Sequence, residues 1–294
     1  MRVVVASDAL AGLSPAEASE IIAHAFADRG AQVVVVPLGV TGAALREAVG
    51  VAGAAALEAP ADAAELGRVL ARADGDLVVD LTACHVADLG REALDAFDAH
   101  PATALAAARE AWAGRRLVAL VPEGQPDRPL TGLTGMAATE GRERGADLAA
   151  VLAADAVAGR WAEQLGLTPG PGAGAVGGAG LLIQAVGGIV TDPLTYLAEV
   201  FGLPATLARA DAVVTGAESL DFHAVGGPVV KRVVSLAGEA LRPVIAVVGR
   251  NFVSARELRL AGLEAAYPIS SGEDRATPAQ LADVAAKVAT TWSW

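Results

Sequence analysis

Apolar residues fall into short β-branched runs separated by longer stretches in which they recur every three or four positions. The runs at 2–7 and 32–37 read as strands, and 15–29 between them as a helix. Ser14 before Pro15 supplies an N-cap and a first helical residue, with Glu17 in the first turn. Strand, helix and strand in this order make a βαβ unit. Strands apolar on both faces imply a parallel sheet covered on both sides, hence an α/β fold with a doubly wound sheet. The rhythm returns late, with strands at 211–215, 243–248 and 265–269, helices at 229–240 and 254–261, and a closing helix at 278–290. The middle differs. It carries strand-like runs at 76–81, 117–121 and 188–191, helices at 146–165 and 175–186, and loops at 122–135 and 166–180. Pro and Gly are densest in those two loops, which are expected to face a cleft.

At roughly 150 residues per domain, 294 residues suggest two domains. A 53% hydrophobic content supports a sizeable core. The net charge of −12 disfavours nucleic acid and anionic membranes as partners, since phosphate binding needs a basic face. With Lys231 and Lys287 the only lysines, a phosphate grip must come mainly from arginine, backbone N–H groups or a metal. Cys84 is the single cysteine, which excludes an intramolecular disulfide framework and fits a reducing cytoplasm. The apolar run 3–6 meets Asp8 too soon to be a secretion signal. Mean hydropathy is +0.45, and 165–191 carries no charge. Its continuous apolar part, 175–190, is shorter than the ~20 residues of a spanning helix and is broken by Gly187 and Gly188.

Gly172, Gly174 and Gly177 match the dinucleotide fingerprint, but no strand precedes them and no acid follows at the right spacing; Asp192 stands only 15 residues on. Two readings remain for this turn: a glycine-rich packing junction, or a cradle for phosphate or carboxylate. Cys84 and His85 are adjacent and would point apart, so they make a poor nucleophilic dyad. His24, His85, His100 and His223 are scattered, and only His223 stands beside other polar residues at a strand end. Acids and hydroxyls follow several strands: Ser7 and Asp8, Asp80 and Thr82, Thr215 with Glu218 and Asp221. In open parallel sheets ligands bind beyond those ends, where a carboxylate can accept a hydroxyl proton or coordinate Mg²⁺. The competing role for such an Asp is to cap a helix.

Several segments, in order, resemble the bacterial type I glycerate kinase family. Residues 6–12, A-S-D-A-L-A-G, resemble its A-P-D-S-F-K-G, and 129–135, followed by Gly141 and Arg144-Gly145-Ala146, resemble its N-P-L-x-G-x-x-G … G-x-x-K-G-A. Residues 171–178 are close to its P-G-A-G-A-A-G-G. Thr215-Gly216 with Leu220-Asp221 resembles T-G-E-G-R-[LI]-D, and 243–249 resembles its P-V-I-A-L-A-G strand. The stretch 50–116 has no such match and is shorter than its family counterpart.

This resemblance implies two α/β lobes, one discontinuous (1–45 and 187–294) and one inserted (46–186), with the active site between them. It implies transfer of the γ-phosphoryl group of ATP to a hydroxyl of D-glycerate or a similar small hydroxy acid, with Mg²⁺. By position, Asp8 and Asp221 would be the catalytic acids and candidate metal ligands, and Lys231 or Arg144 the cation. Gly172, Gly174, Gly177 and Gly178 would form the cradle, and Thr215, Gly216 and His223 would border substrate. Departures point the other way. Ala9 and Ala11 replace the opening serine and lysine, Ala217 and Ser219 replace the late glutamate and arginine, and Pro228 falls where a lysine would follow glycine. The D-G-G-E-G-T segment after Pro37 has lost both acids. Each lost direct contact costs about 2.7–4 kcal/mol of transition-state stabilisation, so a member that binds a ligand or partner without turnover is the alternative. Trp292 and Trp294 at the terminus could pack on a second copy or on the same chain.

Overall fold

The computed structural model describes the chain except residues 54–55, 222–224, 271, 273–274 and 294, and His223 therefore lies outside the described residues. In chain order the elements are β1 (Arg2–Val5), α1 (Pro15–Ala27), β2 (Gln32–Val35), α2 (Gly42–Val51), β3 (Ala56–Glu58), α3 (Ala63–Arg72), β4 (Leu77–Asp80), α4 (Arg91–Asp95), α5 (Pro101–Trp112) and β5 (Leu117–Leu120). There follow α6 (Met136–Arg144), α7 (Leu148–Gln164), α8 (Ala179–Ala185), β6 (Ile189–Thr191), α9 (Pro193–Val200), α10 (Leu203–Leu207), β7 (Ala212–Leu220), α11 (Gly227–Glu239), β8 (Val244–Asn251), α12 (Ala255–Leu260), β9 (Ala265–Pro268) and α13 (Pro278–Trp292). No helix among the described residues is long and apolar enough to cross a membrane.

The chain divides into two units, Met1–Gly53 with Leu194–Trp294, and Ala54–Pro193. Two of the expected boundaries move. Helix α2 packs against α1 and stays with the first unit, so that boundary lies at 53/54 instead of 45/46. The strand read at 188–191 pairs with β5 through Val118–Ile189 and Leu120–Thr191, which keeps it in the second unit and shifts the other boundary from 186/187 to 193/194.

The first unit is a five-stranded parallel sheet in the order β2-β1-β7-β8-β9. From β1 the chain steps to one side, and from β7 to the other. Right-handed crossovers running in opposite directions put their helices on opposite faces, and the junction of β1 with β7 is a topological switch point. On one face Val3, Val5, Val214 and Val247 bury against Ile22 and Phe26 of α1 and Leu281 and Val288 of α13. Helix α1 starts where the sequence indicates: Ser14 and Glu17 close a capping box and Pro15 occupies the first turn.

The second unit is a four-stranded parallel sheet in the uninterrupted order β3-β4-β5-β6. Steps that all run one way stack the crossover helices on one face. Leu77, Val79, Leu117 and Ala119 accordingly share one core with Leu66 and Leu70 of α3, Leu105 and Trp112 of α5 and Leu182 of α8.

Candidate functional site

In the first unit, polar groups gather where β1 and β7 end. The Asp8 N–H donates to the Gly216 carbonyl at 3.1 Å, extending the β1–β7 ladder by a turn. Asp8 does not cap a helix. Its Oδ1 accepts the N–H of its neighbour Ala9 at 2.7 Å, while Ser14 caps α1. Burial pushes the Asp8 carboxyl above the usual carboxylate range; the Ala9 bond opposes this and the nearby Glu218 charge adds to it.

Glu218, read from the sequence as one of the acids that follow strands, was not matched to the acid of the resembled motif. The resembled motif places its acid at 217, where this chain has Ala217, and the carboxylate was counted as lost. Strand β7 runs on to Leu220, so residues two apart share a face and residues one apart do not. A Cβ on Gly216 would come 2.6 Å from Ser7 Oγ, which identifies the face turned toward the β1 loop. Glu218 lies on that face, and its Oε1 accepts the Gly12 N–H at 3.4 Å. An acid displaced by one position thus stands beside Asp8. The extension of β7 beyond 215 was the signal available in the sequence.

Thr215 is fully buried, and its hydroxyl has no hydrogen-bond partner among the described residues. Asp221 follows β7, and its carbonyl accepts the Val225 N–H at 3.0 Å. Lys231 is exposed on α11. Among the described residues no three His, Cys, Asp or Glu side chains converge as metal ligands.

In the second unit, a cavity of about 850 Å³ opens beyond the ends of β4 and β5. Its walls are the segment after β4, the 122–128 loop, the α6–α7 hairpin and the turn at 176–177. Three arginines line it, Arg91, Arg128 and Arg144, together with Gln125, Asp88, Glu140 and Glu143. Arg144 is tied to Glu140 at 3.2 Å. Asp88 is occupied as well, with Oδ1 accepting from the Gly90 N–H and Oδ2 from the Glu92 N–H, which satisfies the start of α4. Cys84 also lines the cavity, and burial with the neighbouring charges of Asp62, Glu65 and Asp80 pushes its thiol up to about 12, so it offers no thiolate nucleophile near neutrality.

The glycine string lies in this unit and acts first as a packing junction. A Cβ on Gly172 would overlap the Pro126 carbonyl, one on Gly174 the Pro129 carbonyl, one on Gly177 the Val86 carbonyl, and one on Gly178 the Leu89 side chain. The N–H groups of Gly174, Val176 and Gly178 already donate to Arg128 O, Gln125 Oε1 and Ala175 O. The string staples two cavity loops together, and of its four glycines Gly177 lines the cavity. Among the residues singled out from sequence, Asp8 and Gly216 meet at the switch point of the first unit, while Gly177 and Arg144 meet in the cavity of the second.

The model of the glycerate kinase family matches residues 92–293. An uncharacterized protein of Mycobacterium bovis and one of Mycobacterium tuberculosis are each 32% identical to this chain over 159 residues. That stretch is 52% of this chain and 42% of each relative, so the match spans less than half the length of those proteins. The crystal structure of a Salmonella typhimurium LT2 protein assigned as glycerate kinase 2 superposes with a TM-score of 0.67 at 21% identity, covering 99% of this chain and 98% of that one, a likeness of fold.

Proposed function

The chain belongs to the glycerate kinase family, and on that premise we propose that it transfers the γ-phosphoryl group of ATP to a hydroxyl of D-glycerate or a similar small hydroxy acid. The observation that carries this reading is the arginine-lined cavity at the carboxyl ends of β4 and β5 in the second unit, set in concave, polar-edged surroundings of the size that small-molecule sites use. Phosphoryl transfer asks little covalent work of a protein. It needs an acid that orients the acceptor hydroxyl, cations that offset phosphate charge, and exclusion of water.

Asp8 is the candidate base. Its raised pKa brings it closer to the operating pH, which favours proton acceptance from a hydroxyl. Mg²⁺ is commonly held by one or two carboxylates plus substrate phosphates, and Glu218, beside Asp8, would supply one such carboxylate, leaving Asp8 to the proton. The ion would supply charge neutralisation at the transferred phosphate. In the second unit Arg144, Arg91 and Arg128 provide the cationic complement that two lysines cannot.

The test is D-glycerate-dependent ADP release from ATP and Mg²⁺ by purified protein. Turnover is expected, falling sharply in Asp8→Ala and Asp221→Ala; unchanged turnover in both variants removes those roles. Two observations favour a second reading, ligand binding without turnover: Arg144 is already paired with Glu140, and Lys231 lies exposed on α11. Melting shifts with D-glycerate or ATP in the absence of turnover would support it, because a ligand that binds only the folded state raises the melting point.

A further inference from the structure

Two cavity arginines in the second unit, Arg91 and Arg128, were not singled out from the sequence, Arg128 standing where the resembled motif has asparagine, and neither makes an ion pair among the described residues. Their surroundings are built to hold them so. The Arg91 guanidinium lies over the Trp161 ring, 4.5 Å from its centroid. Trp161 is buried, and its indole N–H donates to the Leu89 carbonyl at 3.3 Å. Stacking occupies the face of a guanidinium and leaves the in-plane N–H donors on its edge.

The segment that presents Arg91 is held from several sides. Leu89 adopts φ 64, a left-handed conformation that a side-chain-bearing residue keeps only when its surroundings enforce it. Here Trp161 holds its carbonyl, Gly178 lies against its side chain, and Asp88 ties the following N–H groups. Asp88, three residues before Arg91, has both carboxylate oxygens engaged in those bonds. On the facing loop Arg128 is fixed by its own backbone: its N–H donates to Gln125 O and its carbonyl accepts from Gly174, each at 3.0 Å. Gln125 Oε1 accepts the Val176 N–H at 2.8 Å, which fixes the amide so that its NH₂ is the group left to donate.

Resting on the cavity being the functional site, we infer that Arg91, Arg128 and the Gln125 amide form an oxyanion-binding subsite that takes a carboxylate or phosphate group, with Trp161 as the positioning residue of Arg91. A fixed, stacked arginine is suited to bidentate recognition of such a group, since little rotamer freedom is lost on binding. Carboxylate of the acceptor acid and phosphate of the nucleotide share this chemistry, and the experiment separates them.

Binding of D-glycerate, inorganic phosphate and ADP to the full-length protein is measured by calorimetry and by tryptophan fluorescence. At least one probe binds, and the fluorescence change disappears in Trp161→Phe. In Arg91→Ala and Arg128→Gln the affinity for that probe falls about 10- to 100-fold, the value of a lost charge-assisted hydrogen bond. Arg91→Lys restores only part of it, because a lysine neither stacks nor binds bidentately. D-glycerate as the tightest probe assigns the carboxylate; phosphate or ADP assigns the phosphate. Failure of all three to bind wild type, or unchanged affinity in both folded arginine variants, overturns the inference. Arginine-dependent binding without phosphoryl transfer leaves the subsite standing and removes the kinase reading.

Discussion

Both units are parallel sheets joined by helical crossovers, yet they bring polar groups to their carboxyl edges by different routes. The first reverses direction at β1 and β7, and the switch point itself gathers Asp8, Gly216 and Glu218. The second never reverses, and its cavity is walled by loops that glycines allow to touch. One edge is acidic; the other sets three arginines among Asp88, Glu140 and Glu143. A strand order can therefore create a site by topology alone, while an unreversed sheet needs close backbone contacts elsewhere.

Chemistry gives the widest separation. If the acidic edge performs the proton transfer, Asp8→Ala lowers glycerate-dependent turnover by about 10²–10⁴-fold with glycerate affinity retained. Equal loss of affinity and rate would merge the two roles.

Packing gives the next. Gly177→Ala forces a Cβ into the Val86 carbonyl at φ 59 and is expected to destabilise the protein by about 2–5 kcal/mol, the sum of left-handed strain and overpacking. Gly12 of the first unit also has a positive φ, 75, but open space around it, so Gly12→Ala costs only about 1–2 kcal/mol. Urea unfolding of the pair measures the contrast, and equal losses would mean the close approach in the second unit is unimportant.

The smallest effect concerns pH. A carboxyl whose folded pKa is raised binds its proton more tightly when folded, so its contribution to stability declines as pH rises above the ordinary carboxylate value of 3.8. Asp8→Asn removes that penalty and keeps an oxygen for the Ala9 N–H. The variant should melt higher than wild type at pH 7, and the gap should close below pH 4. A gap that widens on acidification would mean that Asp8 is stabilised as an anion.

What could be read from sequence follows from how local each signal is. Continuous β-branched runs made β1 and β2 plain, the apolar run Leu117–Leu120 made β5 plain, and Ser14-Pro15 with Glu17 announced the start of α1. Strand β3 is Ala-Leu-Glu, without a run or an alternation, and was not assigned. The 188–191 strand was found but assigned to the discontinuous lobe, because pairing with β5 is a long-range choice that no local residue records. The site divides in the same way. Asp8 and Glu218 stood out as acids after strands, and Gly216 through the family resemblance. The correspondence of Glu218 to the motif's acid was hidden by a one-residue displacement, and Arg91 and Arg128 are single arginines whose meaning comes from Trp161, Gln125 and the cavity around them.

The most direct test of the account is phosphorus NMR of the protein incubated with ATP, Mg²⁺ and D-glycerate. A phosphate monoester of glycerate is expected to grow in step with ADP. ATP left intact, or ADP accompanied only by inorganic phosphate, would contradict it.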